Sequence, residues 1–309
     1  DFPAYTIPVF ECQLAHDSAK HESKVSGKKL VEVKLDGVRV ITIVYPNGDV
    51  TQYSRNGKEL VNFPHIKEQF AATTSHEKPM VFDGEVMSAN FQDLMQVIHK
   101  KNGSTAAKDA VLHLFDILTL EDFLNGISNV TQIDRTAELK RWFGVVSSTG
   151  KVNNIAILDQ EVIDLDTDEG QKAYSDINAK AIAGGYEGIM IKDLDAPYEC
   201  KRSASWLKLK PFIEVSLEVV DVEEGTGKNK GRLGALVCEG NDDGTDIAVN
   251  VGSGLSDSMR DSIWANRNST IGRICEVRAD AITQNKDGTY SLRFPRFKTF
   301  RGFEAGEKI

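Results

Sequence analysis

The residues most capable of chemistry lie around a lysine that has apolar neighbours and precedes an Asp-Gly pair: Glu32-Val33-Lys34-Leu35-Asp36-Gly37-Val38-Arg39. The lysine ends a β-rich run, so a strand would hold it while Asp-Gly supplies a turn or bend. An ammonium crowded by other cations sheds its proton more readily and can then act as a nucleophile. Arg39 and Arg55 are candidate neighbours, as are Lys208 and Lys210 in Trp206-Leu207-Lys208-Leu209-Lys210, whose spacing of two puts both side chains on one face of a strand. Glu85, in Phe82-Asp83-Gly84-Glu85, and Glu187, heading Glu187-Gly188-Ile189-Met190-Ile191-Lys192, are acids that suit a hard divalent cation. A neutral amine, cations and a metal-holding acid are what attack on a phosphoryl group requires. Each stretch alone also fits a plainer account: a surface strand with solvated lysines, an Asp-Gly-Glu turn, and Phe115 and Met190 as ordinary core.

Alternating β-branched residues from 29 to 53, interrupted by Pro46-Asn47-Gly48-Asp49, predict an antiparallel hairpin, with Lys34 and Arg39 on or beside one sheet. Helical spacing is expected over 63–73, 92–101, 131–143 and 168–184, and strands over 80–82, 111–118, 152–158 and 187–192. The strand at 80–82 is expected to end at Asp83-Gly84-Glu85. Residues 1–27, with Pro3, Pro8 and a polar stretch from His16 to Gly27, are expected to be an irregular lead-in with one short helix. Beyond Pro211 the texture changes to short β runs at 216–222, 235–239, 246–251, 274–281 and 289–295, with a helix at 257–265 and Gly-, Asn- and Asp-rich loops between. Five strands of that spacing suit an OB-fold barrel.

A chain of 309 residues implies a large domain and a smaller one. Its net charge of −9 argues against coating nucleic acid by bulk charge. Charge is segregated, however: 159–169 holds acids and no Lys or Arg, whereas Lys201, Arg202, Lys208 and Lys210 cluster, as do Arg293, Arg296, Lys298 and Arg301. A basic cleft on an acidic body still focuses a field on a polyanion. The 4 cysteines form no Cys-x-x-Cys pair, which argues against a zinc knuckle or redox dithiol and for reduced thiols in the cytoplasm. No apolar run approaches membrane-span length and no signal-like segment is seen, so no membrane partner is expected.

In order along the chain, these stretches resemble the motifs of the covalent nucleotidyltransferases, the superfamily of ATP-dependent DNA ligases, RNA ligases and mRNA capping enzymes. Lys34-x-Asp36-Gly37-x-Arg39 resembles the first motif. Ser54-Arg55-Asn56-Gly57, Phe82-Asp83-Gly84-Glu85, Leu114-Phe115-Asp116, the Glu187 and Trp206 stretches, and Arg293-Phe294-Pro295-Arg296-Phe297-Lys298 follow in the family's order. An ordered series over nearly the whole chain is far more specific than one match. The resemblance implies an α+β fold: a nucleotidyltransferase (adenylation) domain over 1–212, then a C-terminal OB-fold β-barrel over 213–309.

It also implies roles. Lys34 would be the nucleophile that becomes joined to AMP. Glu32, Val33, Arg39, Arg55, Glu85, Phe115, Met190, Lys208, Lys210 and Arg296 would bind the nucleotide, with Glu32 accepting the adenine amino group and Phe115 and Met190 on the two faces of the base. Glu85 and Glu187 would hold Mg²⁺. Arg55, Lys192, Arg202, Lys228 and Lys230 would meet nucleic acid, the last two from the Gly-rich basic loop 225–234. Arg293, Arg296 and Arg301 would belong to a basic strand folding over the nucleotide. The tail Arg301-Gly302-Phe303-Glu304 departs from the family's Arg-x-Asp-Lys ending, which leaves open which arginine acts in adenylation.

Within the superfamily, RNA ligases mostly lack the OB domain with its final basic motif. Capping enzymes use GTP, whereas Glu32 and the Trp-Leu-Lys-Leu-Lys form favour ATP and DNA. The extra domain and four-cysteine zinc motif of NAD-dependent ligases are not visible. The expectation is thus an ATP-dependent DNA ligase, with ATP and Mg²⁺ as cofactors, sealing nicked duplex DNA as a monomer through a lysyl-AMP and a DNA-adenylate, with roles in repair, replication and recombination. A GTP-dependent capping guanylyltransferase or an RNA ligase is the alternative. The second domain is expected to swing about a linker near Pro211 between steps.

Overall fold

A computed structural model of the protein describes residues 11–73, 75–89, 94 and 106–309. The chain divides into two compact units, parting between Lys210 and Pro211.

In the first unit the strands are β1 (Leu14–Asp17), β2 (Lys28–Val33), β3 (Val38–Val44), β4 (Val50–Tyr53), β5 (Met80–Met87), β6 (Val111–Thr119), β7 (Ile127–Ser128), β8 (Ile155–Ile157), β9 (Glu161–Asp164), β10 (Ile189–Asp193), β11 (Tyr198–Glu199) and β12 (Arg202–Leu209). Its helices among the described residues are α1 (Pro64–Ala71), α2 (Leu120–Asn125), α3 (Gln132–Ser147) and α4 (Asp168–Ala183). Proline opens α1, where its missing N–H costs nothing. Thr131 and Thr167 cap α3 and α4 by accepting from Asp134 N and Gly170 N. The helix expected over 92–101 lies outside the described residues but for Leu94.

Two five-stranded sheets are formed, β1-β12-β10-β2-β9 and β4-β3-β5-β6-β8. This corrects the expectation of one sheet around Lys34 and Arg39. The β3–β4 hairpin is present, but β2 belongs to the other sheet, paired with β10 and β9 on its two sides. Residues 34–37 are the crossing between them. Main-chain bonds from Lys34 N to Gly188 O and from Glu187 N to Lys34 O fasten the nucleophile candidate to the start of β10. Gly37 is required because a Cβ there would lie 2.1 Å from Val86 O.

A second correction concerns Asp83-Gly84-Glu85, which does not turn. β5 runs straight through it, with a register shift against β6 between Asp83 and Gly84. Gly84 permits the close approach, since a Cβ would meet His113 O at 2.5 Å. The continuation sets Glu85 opposite Arg39 in the β3–β5 ladder. β9 was not anticipated, because its Val162-Ile163 pair sits inside the acidic run.

One buried cluster packs Ile41, Ile43, Val81 and Leu118 with Tyr198 and Trp206, and Phe115 and Met190 lean on it. Another joins Val31, Ile189, Ile191 and Leu207 beneath α4.

The second unit comprises β13 (Ile213–Glu224), β14 (Leu233–Asp242), β15 (Thr245–Val251), α5 (Asp257–Ala265), α6 (Arg267–Thr270), β16 (Ile274–Ala279), β17 (Ala281–Gln284), β18 (Tyr290–Arg293) and β19 (Arg296–Phe300). Its strands form one curled seven-stranded sheet, ordered β17-β18-β15-β14-β13-β16-β19, as an OB-like fold has. Two strands more than expected arise because the chain breaks after Ala279 and again at Phe294, whose φ of 51° interrupts the last run. Val219, Leu236, Cys238, Val251 and Val277 are at the centre of its core. Arg301, expected over a nucleotide, faces inward instead: it is buried, its Nη1 lies 2.6 Å from Glu276 Oε1, and its Nε donates to Ile309 O. All 4 cysteines are free thiols. Among the described residues, no helix is long and apolar enough to cross a membrane.

Candidate active site

An open cavity of about 680 Å³ in the first unit gathers residues from both sheets. Glu32, Val33 and Lys34 enter from the end of β2, and Met190, Lys192, Arg202, Trp206 and Lys208 from β10 and β12. Arg39, Arg55, Glu85 and Phe115 come from the opposite sheet and its connections. The two-sheet arrangement therefore brings together side chains as far apart in sequence as Glu32 and Lys208, 176 positions.

Lys34 Nζ stands 3.2 Å from Glu187 Oε2, and Lys210 Nζ stands 3.8 Å from the same oxygen. Lys210 lies just past the end of β12, whereas Lys208, within it, lines the cavity. Glu85 has its carboxyl pushed above the usual range by burial; Lys34 and Arg39 pull it down, and Glu187 and Asp36 push it up. Glu85 and Glu187, two carboxylates that repel each other, suit a divalent cation, which would relieve that repulsion. Among the described residues, no three His, Cys, Asp or Glu side chains form a closed metal cage. Magnesium held by one or two carboxylates and by substrate phosphates needs none.

Arg39 is anchored before any ligand arrives. Its Nε and Nη2 meet the two oxygens of Asp83 at 2.5 Å each, and Nη2 also donates to Gln13 O at 2.9 Å. Asp83 accepts from the Tyr198 hydroxyl at 2.6 Å. Burial and the neighbouring Asp83 push that phenol well above its ordinary value. The guanidinium lies 5.2 Å from the centre of the Phe115 ring and 5.7 Å from that of Trp206.

Glu32 is 2% exposed and paired with Lys192 Nζ at 2.5 Å, while its other oxygen accepts from Gln160. Burial raises its carboxyl, and Lys192 and Gln160 hold it back. Lys192 was expected to meet nucleic acid. At 1% exposure, with Nζ 4.5 Å from the Phe115 ring centre and 4.1 Å from that of Trp206, it is part of the cavity wall.

Phe115 and Met190 both line the cavity and pack on the apolar cluster. Trp206 is fixed by its Nε1, which donates to Gln132 Oε1 at 2.9 Å. Arg202 reaches the cavity rim and donates to Ala15 O. In the second unit, Lys228 and Lys230 are exposed on a loop whose base is braced by Arg260 donating to Leu233 O and Gly234 O. Arg296 is partly exposed and 3.2 Å from Asp280.

Sequence reasoning missed Asp83, Tyr198, Gln160 and the buried Asp116–Arg135 ion pair at 2.8 Å. The available signal for the last was Gln132 and Arg135, three apart on a helix face shared with Leu139, Trp142 and Val146.

Residues 12–210 match the family model described as the ATP dependent DNA ligase domain. The chain belongs to the ATP-dependent DNA ligase family. Residues 224–301 match a second family model, the DNA ligase OB-like domain. Among curated relatives, the DNA ligases of Halobacterium salinarum and Haloarcula marismortui are 28% and 30% identical over 301 residues, covering 88% of this chain and 51% of each relative. The chain thus spans about half the length of the curated relatives it matches. A solved structure named Pmar-Lig_PreS3 is 53% identical with a TM-score of 0.66, covering 97% of this chain and 69% of that one. The ATP complex of the ATP-dependent DNA ligase of bacteriophage T7 shares the fold at 18% identity and a TM-score of 0.53, covering 94% of this chain and 98% of that one.

Proposed function

We propose that the chain seals nicks in duplex DNA at the expense of ATP, with Lys34 as the residue that carries the nucleotide. The observation that bears most on this is the placement of Lys34 at a two-sheet cavity, beside Glu187 and within the set of cations a triphosphate needs. The amine must first leave its ion pair and lose its proton. The Lys34 nitrogen then bonds to the α-phosphorus as the bond to pyrophosphate breaks, giving a lysyl-AMP. A 5′-phosphate oxygen at the nick next displaces lysine, and the 3′-hydroxyl finally displaces AMP to form the phosphodiester.

Arg39, held by Asp83, and Lys208 would orient phosphate and ribose oxygens. Phe115 and Met190 would clasp the base, and Glu32 would accept from the adenine amine. Glu85 and Glu187 would hold Mg²⁺, which when bound supplies positive charge to the phosphate oxygens. Arg55, Arg202, Lys228 and Lys230 would contact DNA phosphates, and the protein would act as a monomer. Sealing of a 5′-labelled nicked duplex tests this. The label should become phosphatase-resistant with ATP and magnesium, but not with GTP or with Lys34→Ala; a Lys34→Ala variant that seals would contradict it.

A further inference from the structure

Gln160 occupies a crossing. β8 pairs with β6 in one sheet and β9 pairs with β2 in the other, so residues 158–160 step from one wall of the cavity to the other. At that step the Gln160 amide nitrogen donates to Glu32 Oε2 and, at 3.4 Å, to Phe115 O. One side chain thereby ties the Glu32 carboxylate to the strand that carries Phe115. Both acceptors demand an N–H, which fixes which way the amide points.

We propose that Gln160, as a positioning residue, sets the preference for adenine over guanine by holding the Glu32 carboxylate against the Phe115 strand. The inference rests on the proposed adenylation at Lys34. A carboxylate clamped by Lys192 on one oxygen and Gln160 on the other keeps lone pairs free and only accepts. It therefore welcomes the amine of adenine and repels the carbonyl that guanine presents at the same place.

Without the Gln160 donor, Glu32 keeps Lys192 on β10 as its cationic neighbour, while burial and Asp116 on β6 favour its protonated form. A protonated carboxyl has an O–H to offer the guanine carbonyl. The sign follows: Gln160 lowers the proton affinity of Glu32, so removing it lets the acid protonate at a higher pH. Discrimination should then fail earlier as pH drops.

The test uses the full chain, magnesium, and α-labelled ATP or GTP, scoring the protein-bound nucleotide over a pH series for wild type, Gln160→Ala and the same-sized Gln160→Glu. Both variants are expected to raise the ATP concentration for half-maximal labelling rate about tenfold with little change in the maximal labelling rate. The ATP-to-GTP ratio should fall by a similar factor, most at the acidic end, and Gln160→Asn should restore part of it. If wild type labels and either folded variant keeps the wild-type ratio and half-maximal ATP concentration at every pH, the proposal is overturned. If wild type takes no label from ATP, the adenylation on which it rests is what fails.

Discussion

Asp83 and Arg39 form a two-pronged ion pair between neighbouring strands, and Asp83, fully buried, also receives the Tyr198 hydroxyl. Removing one partner of such a pair leaves a buried charge uncompensated, which costs about 3–5 kcal/mol. Asp83→Ala should therefore lower the unfolding free energy by about that amount in urea denaturation. Nucleotide transfer to the protein should fall as well, because Arg39 loses its anchor. A variant as stable as the parent would show that the pair is already solvated.

Lys192 separates a cavity role from a nucleic-acid role. Lys192→Met retains the apolar stem beneath Phe115 and Trp206 but leaves Glu32 without its cation. ATP-dependent labelling should drop at least tenfold, whereas DNA affinity and its salt slope in a binding titration should match wild type. A salt slope reduced by about one would instead place Lys192 on a phosphate.

Glu138 gives a pH-dependent stability effect away from the cavity. Hydrogen bonds from Arg141, then from His76, outweigh partial burial and hold its carboxyl at about 2 instead of the ordinary 4.5. A lowered acid stabilises the fold above its unfolded value, and the contribution disappears as pH falls from 4.5 toward 2. Melting temperatures of Glu138→Gln should be slightly below wild type at neutral pH, by an amount fitting ~0.5 kcal/mol for a half-exposed cluster. The two should converge in acid; a gap that widens there would reverse the sign.

Gly37→Ala probes the crossing between sheets. The added methyl would stand 2.1 Å from a main-chain oxygen, which no side-chain rotation relieves. A loss of about 1–3 kcal/mol is expected from overpacking, read by thermal melting, with nucleotide transfer impaired because Lys34 is displaced. Unchanged transfer would mean that the crossing tolerates a shift of backbone.

Much of the cavity was legible because its residues lie in short, strongly typed strings: Lys34, Arg39, Glu85, Phe115 and Lys208, singled out by type and spacing, line one cavity. Strand pairing was less legible. Periodicity marks 30–33 and 38–44 alike as strands, yet nothing in it tells that β2 prefers β10 and β9 over its sequence neighbour. Charge misled twice, at Lys192 and Arg301, since a sequence does not reveal that a carboxylate or main-chain oxygen waits inside for a cation. Gln160 carried no pattern, and its importance comes wholly from where the crossing sets it.

Peptide-resolved mass spectrometry of the chain after mixing with ATP and magnesium, quenched without DNA, examines the central claim most directly. One AMP should be found on the peptide containing Lys34, bonded through the side-chain nitrogen, and should be released when nicked duplex is added. A chain that stays unmodified, or that carries AMP on another residue, would contradict the account.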